Sequence, residues 1–529
     1  MQRTSVAKSG TQRLLSGVVL LTAANVIVKI LGFFYKVPLN AVLGDEMANV
    51  NAAYAIYALL YTVSTAGVPN AVALSVSRAR ARGDGSAGRI LRVTASSFLL
   101  VGVFLAALLL FLAKPISLLN SGGDAYLCLL AIAPALAFAS LNSVFRGYFQ
   151  GFERMEPTAI SELIEAVGKT LFGLLLAFLC LSHFNGSVRD AAALAVFAIT
   201  VGVGLSALFL FLFYRRKRRE LSSFSAKTEQ GSERAVLFGV LSLALPITAT
   251  AAMMSASSLL DAQLMRPLLS RFYGNPELAK ALYSDYSTGA LTLYNLPSIL
   301  ITPMSAAVIP FVAAALEKGE RKRAKGAMET ALRAAALLSL PCALGMSALS
   351  SPILSFVFRT DEDMAQNAGQ LLSVLAISVF FVAVFTVTGA VLQAAKKEKL
   401  PLISLGVGLL VKLISLFALT LTVGEIGVPV STLLFYFSVS AINLCFVRRE
   451  LGLSVSFAKT FVRPALAAVI CAIGAYFSYT LLLSRLRESI ALLCALSFAV
   501  LLYFLAVVAF RCVGKEELSL LPFFRKRIK

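Results

Sequence analysis

Apolar stretches of about 20 residues alternate with short polar intervals along the chain, and that is the length an α-helix needs to cross a hydrocarbon core of about 30 Å. They fall near 15–38, 50–73, 93–113, 125–146, 158–181 and 191–214, and again near 236–259, 286–312, 330–350, 368–393, 401–422, 427–447, 462–482 and 490–511. The pattern predicts an all-α chain with fourteen membrane spans.

Polar positions inside these stretches carry the next level of information. In "NVIVKILGFFYKVPLN", Asn25, Lys29, Gly32 and Lys36 follow the i, i+4, i+7, i+11 rhythm of one helix face. A polar stripe therefore runs along an oily first span. Lys29 lies about 21 Å from the start of that span at 1.5 Å per residue, and Lys169 and Lys412 lie about 17 Å into spans 5 and 11. All three come near mid-bilayer, where a charge costs a few kcal/mol unless it faces a bundle interior or a wet cavity. On span 5, Glu162, Glu165 and Lys169 share a face, and Glu165 and Lys169 at i, i+4 can pair within the helix. Lys36 sits about two turns further out than Lys29 and can snorkel to the interface. On span 7, Asp261 and Arg266 near the outer end suit either an interfacial ion pair or a gate. Pro246, Pro297, Pro303 and Pro310 are expected to interrupt spans 7 and 8.

Composition agrees: 58% of the 529 residues are hydrophobic and only 14% charged, whereas soluble chains carry about 25% charged residues. The net charge of +21 would suit a nucleic-acid binder, but its distribution answers otherwise. About three quarters of the Lys and Arg residues fall in segments 1–14, 74–92, 146–157, 215–235, 313–333, 394–400, 448–463 and 511–529, which alternate with the spans as short cytoplasmic loops do. This predicts a multi-pass bacterial cytoplasmic-membrane protein with both termini inside and basic runs such as "YRRKRRE" against anionic lipid headgroups. The seven cysteines are scattered and the single histidine, His183, stands apart from them, so no metal site, cofactor or disulfide framework is expected.

The chain repeats itself. "RGYFQGFERMEPTAISELIEAVGK" (Arg146 to Lys169) resembles "GAVLQAAKKEKLPLISLGVGLLVK" (Gly389 to Lys412), matching Gly147, Gln150, Pro157 and Lys169 with Gly389, Gln393, Pro401 and Lys412. A shift of six spans preserves orientation, which predicts two pseudo-symmetric six-helix lobes around a central cavity plus two C-terminal helices. The boundaries follow: an N-lobe over 1–220, a cytoplasmic linker over 221–235, a C-lobe over 236–450, and spans 13 and 14 with a basic tail over 451–529.

The "RGYFQG...MEPTAISELIE...GK" segment, the fourteen spans, and "VKILGFFYKVPL" followed by "GD" resemble the stage V sporulation protein B branch of the multidrug/oligosaccharidyl-lipid/polysaccharide (MOP) flippases, relatives of the lipid II flippases of peptidoglycan synthesis. The resemblance covers essentially the whole chain. It implies alternation between inward-open and outward-open forms, a groove at spans 13 and 14 for a lipid tail, and a cationic cavity for a pyrophosphate-sugar headgroup. Under it, Asn25, Lys29, Lys36, Arg266, Lys169 and Lys412 are the substrate-binding candidates, and Asp261, Glu162 and Glu165 the gate or ion-coupling candidates. Span 2 has no basic residue before Arg78, and span 11 has no acid. The expected partners are a pyrophosphate-linked sugar lipid and membrane lipids, with no nucleic acid, in a monomer driven by the membrane potential or a monovalent cation.

The expected function is therefore a flippase for an undecaprenyl-pyrophosphate-linked cell-wall precursor, with lipid II the first candidate. Export of another lipid-linked oligosaccharide and cation-coupled drug antiport are the alternatives within the superfamily, although buried lysines repel cationic drugs. A membrane-embedded glycosyl-lipid transferase is the alternative in a different class. It would need a sizeable outer segment, and 260–285 supplies only Asp261, Glu277 and Asp285 as acids, with no motif.

Overall fold

The structure, a computed structural model, describes residues 23–32, 35–82, 86–121, 123–222, 232–298, 301, 312–313, 315–316, 318–358 and 362–512. Among the described residues every regular element is helical. Within a bilayer no water is at hand for backbone N–H and C=O groups, and a helix satisfies them inside its own segment.

Close packing divides the chain into two compact units that meet between Leu264 and Met265. The first contains α1 (helical over 23–32 and 35–43), α2 (Met47–Thr65), α3 (Val68–Arg82), α4 (Ala87–Ser121), α5 (Tyr126–Ile132), α6 (Ala135–Gly151), α7 (Glu156–Ser182), α8 (Val188–Ser222) and the start of α9 (Glu233–Tyr273). The second continues through α10 (Pro276–Ser284), a π-helical turn (Asp285–Ala290), α11 (Leu291–Tyr294), α12 (Arg321–Ala348), α13 (Ser350–Phe358), α14 (Glu362–Leu375), α15 (Ser378–Ala394), α16 (Lys399–Val423), α17 (Gly427–Leu451), α18 (Arg463–Leu483) and α19 (Glu488–Ala509).

Eleven helical stretches among the described residues are long and apolar enough to cross a membrane. Two of them, Ala23–Arg80 and Lys399–Leu451, each contain two of the expected spans, joined at the short 3-10 turns Gly44–Glu46 and Gly424–Ile426. Part of the expected span 8, including Pro303 and Pro310, lies outside the described residues. Pro246 does not break its helix: α9 runs unbroken for 41 residues, about twice the length a bilayer core requires.

The boundary at Leu264 differs from the linker expected over 221–235. The reason is that the first half of α9 belongs to the N-terminal core. The Gly67 N–H donates to Thr248 Oγ1 at 3.1 Å, and the Thr62 and Ser255 hydroxyls are 3.0 Å apart. Val240 and Ala244 are buried with residues of α3, α4 and α6. The polar interval after α8 ends a helix without ending a packing unit.

The internal repeat is visible helix by helix. The ends of α5 and α14, the starts of α6 and α15, the ends of α6 and α15, and the starts of α7 and α16 are each 243 residues apart (132 and 375, 135 and 378, 151 and 394, 156 and 399). Both copies leave the helix through the same turn, with a non-glycine residue at positive φ, Glu153 at 61° and Lys396 at 59°. This gap-free register corrects the glycine match: Gly389 falls opposite Arg146, and Gly147 opposite Ala390. Their surroundings agree, since a Cβ on Gly147 would lie 2.6 Å from the Pro69 carbonyl oxygen while one on Gly389 would meet nothing.

In the first unit α7 and α8 approach at backbone distance, as small residues allow in membrane bundles. A Cβ on Gly202 would lie 2.7 Å from the Glu165 carbonyl oxygen and 2.9 Å from the Lys169 backbone nitrogen. Gly202→Val is therefore expected to push the two helices apart at a cost of about 1–3 kcal/mol, read as a lower melting temperature of the purified protein. In the second unit α18 and α19 pack on each other and on α12, where the Tyr503 hydroxyl donates to the Leu337 carbonyl at 2.6 Å. They leave Phe477, Leu481, Val500 and Phe504 exposed, an apolar surface of the kind lipid covers.

Candidate functional site

In the first unit one aromatic residue of α1 packs against α7 and α8. Tyr35 is buried, its hydroxyl donates to the Ala195 carbonyl of α8 at 3.4 Å, and Gly173 of α7 makes the room. A Cβ at Gly173 would come within 2.4 Å of the tyrosine oxygen. The ring of Tyr35 carries the Lys169 ammonium 5.8 Å from its centroid, a cation–π contact worth about 0.5–2 kcal/mol depending on desolvation. Lys36, half-buried on the next position of α1, lies close enough to Lys169 for the two charges to repel. Asn25 and Lys29, one turn apart, are both exposed. The structure thus brings Lys36 and Lys169 together and leaves Asn25 and Lys29 on the surface of the same helix.

Behind Lys169 lies a network the sequence did not reveal. Arg146 of α6 is only 8% exposed. Its Nη2 donates to Glu165 Oε2 at 2.8 Å and to Ser206 Oγ at 3.3 Å, and its Nε donates to Ser161 Oγ at 2.9 Å. The guanidinium therefore joins α6, α7 and α8. Glu165 pairs with this arginine and not with Lys169, which corrects the expected i, i+4 pair. Glu162, one turn earlier, is partly buried, and its Oε2 has no hydrogen-bond partner among the described residues. Tyr57 and Tyr61 of α2 stand within the field of Glu165 and Arg146, their rings 5.6 Å apart.

Arg146 went unnoticed because its segment, 146–157, reads as a basic loop. The helix instead runs on to Gly151. The only signal was Glu165, an acid across the same hairpin and deep enough to need a partner.

The second repeat lysine has a different fate. Lys412 is 1% exposed, donates to Thr432 Oγ1 of α17 at 2.9 Å and lies 5.9 Å from the Phe435 ring centroid. The ammonium is enclosed here, in contrast to the partly buried Lys169. Lys412→Ala should lower the melting temperature through lost packing and a lost hydrogen bond. The transport rate per folded molecule should stay within twofold of the parent, measured after normalising for protein amount.

Asp261 and Arg266 are both buried, at 3% and 7% exposed. Five residues apart on one helix, they leave it roughly 140° apart, so α9 does not set them up as a pair. The expected outer segment 260–285 is mostly helix, and it buries Lys280 and Asp285 as well. Asp285 opens a π-helical turn, an irregularity that often marks functional positions. Among the described residues no cluster of three or more His, Cys, Asp or Glu could hold a metal ion.

Comparison with known proteins fits this architecture. The profile of the family described as polysaccharide biosynthesis protein matches residues 14–315, and that of the MatE family residues 288–419. Two proteins of Bacillus subtilis (strain 168) are similar over most of their length. Stage V sporulation protein B is 25% identical over 537 residues, 98% of this chain and 99% of that protein. Lipid II flippase MurJ is 24% identical over 459 residues, 84% of each. Among solved structures, lipid II flippase MurJ in an inward closed conformation superposes with a TM-score of 0.68 at 18% identity, covering 97% of this chain and all of that one. An inward-facing multidrug resistance MATE family transporter superposes with a TM-score of 0.67 at 16% identity, covering 81% of this chain and 94% of that one.

The fold defines a class of multi-pass helical membrane proteins that includes those two solved transporters. Within it, the chain belongs to the polysaccharide biosynthesis protein family.

Proposed function

We propose that this flippase moves an undecaprenyl-pyrophosphate-linked cell-wall precursor, with lipid II the first candidate, from the inner to the outer leaflet by alternating access. The observation that carries the reading is the Lys169 ammonium over the Tyr35 ring in a membrane helix bundle, with Lys36 near enough to feel its charge. Two neighbouring point charges that repel when empty gain most from a ligand carrying two negative charges, as a pyrophosphate does. The exposed Lys29 and Asn25 on the same helix extend the polar surface toward a sugar. A cationic drug meets repulsion from the same lysines, which disfavours the antiport reading.

Complementation tests the substrate. Depleting the native lipid II flippase of a suitable host while expressing this chain should restore growth and outer-leaflet lipid II. Growth arrest at normal expression in the membrane would point to a different lipid-linked sugar. The proposed orientation, with both termini cytoplasmic, has its own check on a cysteine-less background. Cysteines at the exposed positions Asn185 and Glu277 should react with an impermeant thiol reagent in intact cells, and cysteines at Glu153 and Glu398 should not. The reverse labelling would invert the topology and with it the direction of transport.

A further inference from the structure

Local helix physics favours a pair that the structure does not make. Glu165 and Lys169 stand at i, i+4 on α7 with the acid nearer the N-terminus, the favourable order for an intrahelical ion pair. Near the middle of a bilayer, where a lone charge is costly, that pair should be the default. Glu165 instead turns to Arg146, 2.8 Å away on α6. Among the described residues no carboxylate lies within ion-pair distance of the Lys169 ammonium, which lies over the Tyr35 ring.

The arginine is built for that hold. Its three described hydrogen bonds, to Ser161, Glu165 and Ser206, fix the guanidinium from two other helices. A lysine, a point charge on a flexible stem, would not fix the carboxylate in the same way. The internal repeat supplies a control within the same molecule. In the register set by the helix boundaries, Arg146 corresponds to Gly389 and Glu165 to Gly408, while Lys169 corresponds to Lys412. The second copy keeps the lysine and lacks both the acid and the arginine. Its lysine is enclosed and bonded to Thr432. Arginine and glutamate therefore occur together, and they occur beside the lysine that is only partly buried.

We propose that Arg146 is a positioning residue for the transport site: by binding the Glu165 carboxylate it withholds that carboxylate from Lys169 and leaves the Lys169 ammonium to an anionic headgroup. The inference rests on the reading of Lys169 as a headgroup ligand. A Lys169 neutralised by Glu165 would present a dipole to a pyrophosphate in place of a charge. Glu162 does not substitute for Glu165 in this respect, because it stands two turns from Lys169 and also faces Arg146.

The test uses the full-length protein and two readouts, only one of which depends on the substrate. The first is the acylation rate of Lys169 by an amine-reactive ester in detergent, read by peptide mass spectrometry. An ammonium paired with a carboxylate yields less free amine and reacts more slowly. The second is flipping of fluorescent lipid II in proteoliposomes. Arg146→Gln should free Glu165 to pair with Lys169, lowering both rates at least fivefold. Adding Glu165→Gln to Arg146→Gln should restore both to within twofold of the parent, a rescue that loss of a merely structural contact does not give. Unchanged Lys169 acylation in a folded Arg146→Gln protein overturns the proposal whatever the substrate. If acylation falls and recovers as described while not even the parent flips lipid II, the charge arrangement stands and the substrate reading fails. Should Arg146→Gln not accumulate, the double variant decides, because it has no carboxylate at 165. Parent-like Lys169 acylation in it supports the proposal, and a fivefold loss at parental thermal stability overturns it.

Discussion

Lys169→Gln is expected to cut flipping of a pyrophosphate-linked lipid at least tenfold while leaving the protein's abundance and melting temperature near those of the parent. The two halves of that result have one cause. Among the described residues no carboxylate pairs with Lys169, so removing its charge costs the fold little beyond the contact with the Tyr35 ring. With a dianion bound, each ammonium contributes attraction: one pair of unit charges at about 4 Å is worth on the order of 4 kcal/mol at an effective dielectric of 20. Desolvation cancels much of this, yet a net loss of about 1.4 kcal/mol already means tenfold. Lys36→Gln should behave alike, and Lys169→Arg should keep part of the activity, because arginine also donates to phosphate though with a bulkier planar fork. The measurement is initial flipping rate in proteoliposomes beside thermal stability in detergent. A stable Lys169→Gln protein that flips at the parental rate would remove Lys169 from the substrate site.

The second large effect is on stability, and it is asymmetric. Glu165→Gln strands the Arg146 guanidinium in a site where only the Ser161 and Ser206 oxygens and the more remote Glu162 remain. Breaking a buried pair from one side costs roughly 3–5 kcal/mol, and with the Glu165 side chain 27% exposed the lower end applies, about 3 kcal/mol. Arg146→Gln should cost less, because the carboxylate it releases has Lys169 one turn away. Melting temperatures of the two single variants and the double variant measure this directly. Equal losses from the two single changes would show that Lys169 does not serve as the reserve partner.

What could be read from the chain follows from which interactions are local. Hydrophobic periodicity and the alternation of basic loops are properties of short windows, so the spans, the helical class and the six-span repeat were all legible. The lysines inside apolar spans were conspicuous for the same reason: twenty apolar neighbours make one charge stand out. Partner choice was not. Glu165 has an eligible cation at i+4 within its own helix and a stronger one 19 residues back on α6, and only the packing of α6, α7 and α8 decides between them. Lys169 and Lys412 occupy equivalent positions in two repeats, yet one rests on an aromatic ring delivered by α1 and the other is enclosed by Thr432 and Phe435 of α17. The unit boundary inside α9 was hidden likewise, because Thr248 and Ser255 declare their partners Gly67 and Thr62 only after the chain has folded.

The central claim, that this chain carries a pyrophosphate-linked lipid headgroup across a bilayer on its lysines, is met most directly by reconstitution. Purified full-length protein in proteoliposomes, given fluorescent lipid II in one leaflet, should move it to the other faster than protein-free vesicles do, and Lys169→Gln and Lys36→Gln proteins should each lose at least tenfold of that excess. A parent protein that moves lipid II no faster than empty vesicles, in a preparation whose native fold is confirmed by its melting transition, would contradict the account.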